Sequence, residues 1–234
     1  MMRTQSKGMF YKLLNFADSS AIGLAFTEEY GKLKFFINKA FTKKGSIYKI
    51  IPGEIDFLKK DHTDLNKFYS FKEDLTYYYF LEYIPLYLRL HLIFEIIDVL
   101  YNLEEKDTYL FKLLLHAKES NIYKFSVYTV FYMLRKNGIN FSADICANCS
   151  HVFKEVAYLT NNGLYCNNCI SSGYIKKLDM KDLSLFKTIN NPDAFRVCNV
   201  DEVIELHVLE IIVEYIEQYT NKKIKSLENL RVLQ

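Results

Sequence analysis

Two cysteine pairs constrain this chain more than any other feature. Cys146-Ala147-Asn148-Cys149 and Cys166-Asn167-Asn168-Cys169 form a C-x2-C-x16-C-x2-C array, which lies within the spacing of a four-cysteine zinc site. Zn²⁺ takes four soft ligands in a tetrahedron at about 2.3 Å, and each C-x-x-C turn offers two thiolates to one side of it. The stretch between the pairs reads as a hairpin. Val152, Phe153, Val156, Tyr158 and Leu159 suit a short strand, and Leu164 and Tyr165 start the return. Asn162-Gly163 between them is a two-residue turn of the type that needs positive φ. A zinc ribbon over residues 143–172 follows.

Other uses of the four cysteines fit less well. Redox-active C-x-x-C motifs sit near a βαβ pattern, and none is present. Disulfides need an oxidising compartment, to which nothing in the chain points. A zinc deaminase needs a ligand–acid element before P-C-x-x-C, which is also missing. His151 is an alternative ligand but reads as a surface residue of the knuckle. Four cysteines leave no open coordination position, so one structural Zn²⁺ is expected, its binding free energy serving as folding free energy.

Charge is unevenly distributed. The net charge is +2, yet the first fifty residues carry nine cations (Arg3, Lys7, Lys12, Lys32, Lys34, Lys39, Lys43, Lys44, Lys49) against Asp18, Glu28 and Glu29. No signal-like apolar segment follows Met1. The most hydrophobic stretch, Tyr77 to Leu100, is interrupted by Glu82, Pro85, Arg89, His91, Glu95 and Asp98. That density of ionisable groups excludes a bilayer span and implies a buried helical segment, in a cytoplasmic protein. The fifth cysteine, Cys198, reads as a small buried hydrophobe.

Periodicity divides the chain in two. Residues 1–76 carry five short runs suited to strands: Met9 to Leu13, Ala21 to Phe26, Leu33 to Ile37, Ile47 to Leu58 and Leu65 to Phe71. Leu33, Phe35 and Ile37 alternate with Lys32 and Lys34, the period of a half-buried strand. Five such strands predict a small antiparallel barrel, with Pro52-Gly53 as a bend. From 77 to 234 the period becomes helical, over Tyr77–Leu100 (kinked or started at Pro85), Thr108–Ala117, Asn121–Lys136, Lys181–Thr188 and Val200–Tyr219. Asn137-Gly138 is a left-handed helix stop. The predicted class is α+β: a barrel domain (1–76), then a helical domain (77–234) with the ribbon inserted between helices.

That order resembles the bacterial DNA repair and recombination mediator RecO family. Its acidic-hydroxyl turn and F-T-x-x-x-G-(K/R) element are similar to Asn15-Phe16-Ala17-Asp18-Ser19-Ser20 and Phe26-Thr27-Glu28-Glu29-Tyr30-Gly31-Lys32. Its L-Q-P strand is similar to Ile50-Ile51-Pro52-Gly53. Its L-R-R-F-E…L-x-x-L-G-Y helix resembles Ile122-Tyr123-Lys124-Phe125-Ser126 … Met133-Leu134-Arg135-Lys136-Asn137-Gly138-Ile139. Its closing segment resembles Tyr215-Ile216 … Ile224-Lys225-Ser226-Leu227.

The resemblance implies an N-terminal OB-fold and a non-enzymatic protein of the RecFOR pathway. Such a protein binds and anneals single- and double-stranded DNA, engages RecR and the C-terminal tail of single-stranded DNA-binding protein, and helps load RecA. On charge alone the lysine cluster is a solvated face or a phosphate-contacting one. The resemblance favours DNA contacts at Lys32, Lys34, Lys39, Lys43 and Lys44, with Phe35 and Phe41 as stacking candidates, Phe35 reading more as core. Asn38 and Phe41 stand where the family pattern has basic residues. Lys124, Phe125, Tyr128 and Arg135 become candidate receptors for the acidic tail, against a reading in which Phe125 is core and Lys124 solvated. The alternative function is a zinc-ribbon interaction or transcription-associated module, which would read duplex sequence. A hydrolase is disfavoured: no G-x-S-x-G, P-loop or H-E-x-x-H element is present.

Overall fold

A computed structural model describes residues 2–17, 19–38, 40, 49–60, 63–170 and 173–232. Two compact units emerge, Met1–Ile122 and Tyr123–Gln234. The first unit thus contains the barrel strands and the helices up to residue 114.

Strands β1 (Met2–Ala17), β2 (Ser20–Thr27), β3 (Gly31–Ile37), β4 (Pro52–Lys59) and β5 (Leu65–Glu73) close a barrel of order β1-β2-β3-β5-β4. Of the pairings between these strands, only β3–β5 is parallel, which is the five-stranded Greek-key arrangement of an OB-fold. Alternation selects the interior. Leu33, Phe35 and Ile37 point inward with Phe10, Ala21, Ala25, Ile55 and Phe57. Phe10 is the hub, meeting Phe35, Phe68 and Phe71 edge-on at 5.2–5.8 Å, the geometry favoured by ring quadrupoles. β4 starts at Pro52, so Pro52-Gly53 opens the strand by pairing with Met9 and Gly8 rather than bending its middle.

Of the two readings of Tyr77–Leu100, a helix kinked at Pro85 or one started there, the second holds. A 3-10 turn (Leu75–Tyr77) and a single helical turn α1 (Tyr79–Glu82) precede α2 (Ile84–Leu100), with Pro85 in its first turn. Proline is tolerated there because the first N–H groups lack helical partners. α2 buries residues around most of its circumference, from Leu86 to Ile97. Tyr11 of the barrel stacks on its Phe94 at 5.3 Å. Among the described residues no helix is long and apolar enough to cross a membrane. α3 (Thr108–Leu114) is capped by Asp107 and packs Phe111 beside Phe26. Gly31 begins β3 at φ +66°, and an added Cβ would fall within 1.9 Å of the Glu105 carbonyl oxygen. Any side chain there would drive the β2–β3 turn off the segment that follows α2.

In the second unit, α4 (Ile122–Lys136) stops at Gly138, φ +76°. α5 (Met180–Asn190), α6 (Pro192–Val197), α7 (Glu202–Thr220) and α8 (Ser226–Arg231) complete the helices. Periodicity missed α6 and α8, each only six residues long. Asp179, Asn191 and Asp201 cap α5, α6 and α7 with side-chain acceptors, satisfying orphan N–H groups. Phe131, Phe141, Phe186 and Tyr215 form the aromatic contacts between α4, α5 and α7.

Between α4 and α5 lies a three-stranded sheet of order β7-β6-β8, made by β6 (Ala157–Thr160), β7 (Gly163–Tyr165) and β8 (Lys176–Leu178). β8 gave no sequence signal. The hairpin turn differs from expectation by one residue. Thr160 pairs with Gly163, so the loop is Asn161-Asn162 and positive φ (+120°) falls on Gly163. The Thr160 hydroxyl sets this register, accepting from Asn162 N and donating to Gly163 O. Val152 belongs to an isolated bridge with Ile145 rather than to the strand.

Candidate metal centre and nucleic-acid surface

The four cysteines converge. Their sulfurs all lie within 4.8 Å of one another, and Cys149 Sγ is 3.7 Å from Cys166 Sγ. A tetrahedron with metal–sulfur bonds of about 2.3 Å sets its sulfurs about 3.8 Å apart. The donor set therefore fits a single thiophilic ion. Backbone geometry builds each knuckle: Ser150 N donates to Cys146 O, and Cys169 N and Ile170 N to Cys166 O. The two knuckles are tied by Cys166 N donating to Cys146 Sγ at 3.4 Å and by Ala147 N donating to Leu164 O. His151 is exposed and contributes its carbonyl, accepting from Cys146 N, rather than its ring.

Electrostatics favour a cation at this point. Burial pushes the Cys146 thiol up, but N–H groups of Cys149, Cys166 and Asn148 with the Cys149 side chain outweigh it, holding Cys146 at about 6. The Asn148 side chain pulls Cys169 down, yet the other three sulfurs and burial push it up to about 12. Crowded sulfurs thus resist ionising together, the resistance a bound cation removes.

On the barrel, the sequence-predicted lysines separate. Lys32 is 7% exposed. Its ammonium donates to the Asp98 carbonyl at 2.9 Å and lies 3.6 Å from Asp98 Oδ1, within the seam between β3 and α2. Lys34 is half-buried on the outer face of β3. Lys39, Lys43 and Lys44, with Phe41, lie outside the described residues. Phe35 is 0% exposed, in the barrel core.

The outer face holds a second group that motif and charge did not single out. Phe36 shares the outward parity of Lys34 and pairs with Lys67 of β5. Phe16, 64% exposed, meets Phe36 edge-on at 5.7 Å. Lys67 Nζ stands 5.3 Å from the centre of the Tyr69 ring, and the Arg3 guanidinium 4.7 Å from the same centre. Arg3 is also bound in bidentate fashion to Asp56, which holds that carboxyl below its ordinary range. The alternation that put Leu33, Phe35 and Ile37 inside already pointed Phe36 outward; strand pairing was needed to bring Phe16, Lys67 and Tyr69 beside it.

In the second unit, Lys124 Nζ donates to the carbonyls of Arg196 (2.8 Å) and Cys198 (3.0 Å) at the end of α6, 5.2 Å over the Phe195 ring. Tyr128 stacks on the same ring at 6.3 Å. Phe125 is buried and Arg135 half-buried. Cys198 is half-buried, its thiol donating to Phe195 O.

The family described as recombination protein O, C terminal, matches residues 84–228, more than half of the chain. That span takes in the ribbon and the helices from α2 to α7 and leaves the barrel on its N-terminal side. No curated protein matches the chain.

Proposed function

This chain belongs to the recombination protein O family, whose role is in DNA repair and recombination, and from that premise we propose a non-enzymatic mediator that binds DNA on its barrel. The observation that carries the reading is the closed OB-type barrel with cations and exposed aromatics side by side on its outer face. Single strands bind such surfaces by phosphate contacts together with base stacking. Lys34 and Lys67 supply the first and Phe16, Phe36 and Tyr69 the second, while Lys39, Lys43 and Lys44 are proposed as further phosphate contacts from the family resemblance alone. The sequence-blind character of those contacts suits annealing of complementary strands and delivery of single-stranded DNA to RecA. The four cysteines hold one Zn²⁺, which ties the ribbon together and takes no part in a reaction. A cytoplasmic, nucleoid-associated location and a RecR partner complete the proposal.

The test is anisotropy of a labelled single-stranded oligonucleotide over a salt series. Wild type binds regardless of sequence and weakens steeply with salt. Lys34→Glu with Lys67→Glu lowers the slope of log K against log salt by about 0.7 for each phosphate that the variant no longer neutralises. Phe36→Ala weakens binding by about 1–3 kcal/mol. Absence of binding at low salt overturns the reading.

The tail of single-stranded DNA-binding protein is proposed to dock where Lys124, Phe195 and Tyr128 meet beside Phe125, with Arg135 on the same helix. Lys124 gives a tail carboxylate one cation without the bidentate fork of arginine. Titration of a C-terminal tail peptide by calorimetry is expected to show at least about tenfold weaker binding to Lys124→Glu, scaled to a charge-assisted hydrogen bond. Equal affinity removes Lys124 from the site.

A further inference from the structure

The ribbon has two faces, and only one is used within the second unit. Its inner face buries Ala157, Leu159, Leu164 and Leu178. That face is anchored on α7 by Lys176 pairing with Glu214 at 3.2 Å and by the Tyr215 hydroxyl donating to Asn161 O. The outer face contributes nothing to this core. On it, Tyr165, Tyr158 and Lys177 stand directly opposite one another across the three strands. Cross-strand partners share a face with their Cβ atoms about 5 Å apart, so the three form one continuous row. Tyr174, 51% exposed, packs edge-on against Tyr158 at 5.0 Å. The Tyr158 hydroxyl donates to Asn167 Oδ1 at 3.2 Å, and Asn167 lies inside the second C-x-x-C knuckle. The metal site therefore holds the ring in place.

We infer that this outer face is a second single-stranded nucleic-acid subsite, in which unpaired bases stack on the Tyr158–Tyr165–Tyr174 cluster and Lys177 meets a phosphate. One exposed ring, Tyr174, and two half-buried ones, Tyr158 and Tyr165, held by strand pairing and a knuckle hydrogen bond, lose little freedom on binding. Every base presents a π-face to such a platform, so the site is blind to sequence. Among the described residues no carboxylate occupies a register position on this face, where Thr160 and Gly163 are the remaining outward residues, and Lys177 supplies the cation that a phosphate would meet. Duplex bases are already stacked on one another and cannot use it. The inference rests on the DNA-binding reading above and adds a location outside the barrel.

The experiment uses the full chain and a single-stranded oligonucleotide carrying 5-iodouracil, irradiated in complex, with cross-linked peptides mapped by mass spectrometry. Affinities of Tyr174→Ala and Lys177→Glu for single-stranded and duplex DNA are measured alongside. Both residues lie at the surface, so the fold is retained, which circular dichroism checks. Cross-links to Tyr158, Tyr165 or Tyr174, with Tyr174→Ala at least about fivefold weaker on single strands and unchanged on duplex, support the subsite. Cross-links confined to the barrel with unaltered affinities overturn it and leave the face to a protein partner. Equal loss on both DNA forms also overturns it, because stacking is then not the contact. Wild type that binds no DNA fails the underlying reading, a result distinct from wild-type binding that the ribbon variants share.

Discussion

Cys166→Ser is expected to release the bound metal and turn residues 143–172 into a protease-sensitive segment, while the helices of the second unit stay folded. Cys166 joins the two knuckles. Its sulfur lies 3.7 Å from Cys149 Sγ and its N–H donates to Cys146 Sγ, so the change removes one of four ligands at the point where both pairs meet. Structural zinc contributes about 10–16 kcal/mol in small zinc domains, far more than the short strands β6, β7 and β8 supply. Their inner side chains are buried against neighbouring helices, but the knuckles that hold the strands in register are made of turns with few apolar residues. Metal analysis should fall from one ion per chain towards zero, with limited proteolysis newly cutting inside 143–172. Loss of the ion with unchanged protease resistance would refute a structural role. Acidification should have the same effect on wild type, because protons compete with the ion for the thiolates.

The second large effect is expected at Asp98. Its carboxylate accepts from the Tyr11 hydroxyl and from Lys12 Nζ, each at 3.1 Å, and lies 3.6 Å from Lys32 Nζ. The Lys32 side chain is 9% exposed and that of Asp98 25%. Removing one partner of a buried pair leaves the other charge uncompensated, at a cost of about 3–5 kcal/mol. Partial exposure of Asp98 reduces that, so Asp98→Ala should destabilise the first unit by about 2–3 kcal/mol. Replacing the pair together, Lys32→Met with Asp98→Leu, should recover only the part due to the uncompensated Lys32 charge, because the buried Tyr11 hydroxyl still loses its acceptor. Burial alone would raise the Asp98 carboxyl, but Lys12, Lys32 and Tyr11 outweigh it and hold it below the ordinary carboxylate value. A depressed folded value means the contribution is complete above the unfolded value, about 3.9, and is lost as pH falls through the folded one. Urea unfolding of wild type and Asp98→Ala should therefore differ at pH 7 and converge below about pH 4. A gap that persists at low pH would assign the effect to packing.

Lys32 also shows how far sequence reasoning reaches. Alternation placed Leu33, Phe35 and Ile37 inside the barrel and Lys32, Lys34 and Phe36 outside it. Outside a strand is not the same as outside the protein. α2 covers one stretch of the barrel wall, so Lys32 faces Asp98 while Lys34 and Phe36, on the same strand, remain accessible in part. Phe16 and Lys67 are separated from Phe36 by twenty and thirty-one positions in the chain and meet it only through strand pairing. Similarly, Lys124 reads from its helix as a tail receptor or a solvated cation, whereas its ammonium lies over carbonyls of a helix end more than seventy residues away.

The clustering of the four cysteines was legible in the order of residues alone, because pairs at C-x2-C spacing bring their sulfurs together in the arrangement a tetrahedral ion asks for. So were the five barrel strands and the longer helices, whose apolar runs carry the period of two or of 3.6. The OB order β1-β2-β3-β5-β4, the third ribbon strand β8 and the short helices α6 and α8 came only with the folded chain. Each depends on hydrogen bonds or packing between segments far apart in the chain, and short elements carry too few residues for a period to appear. The same holds for the functional faces. Which cations and rings stand in solvent, and which are drawn into seams, follows from what packs across them.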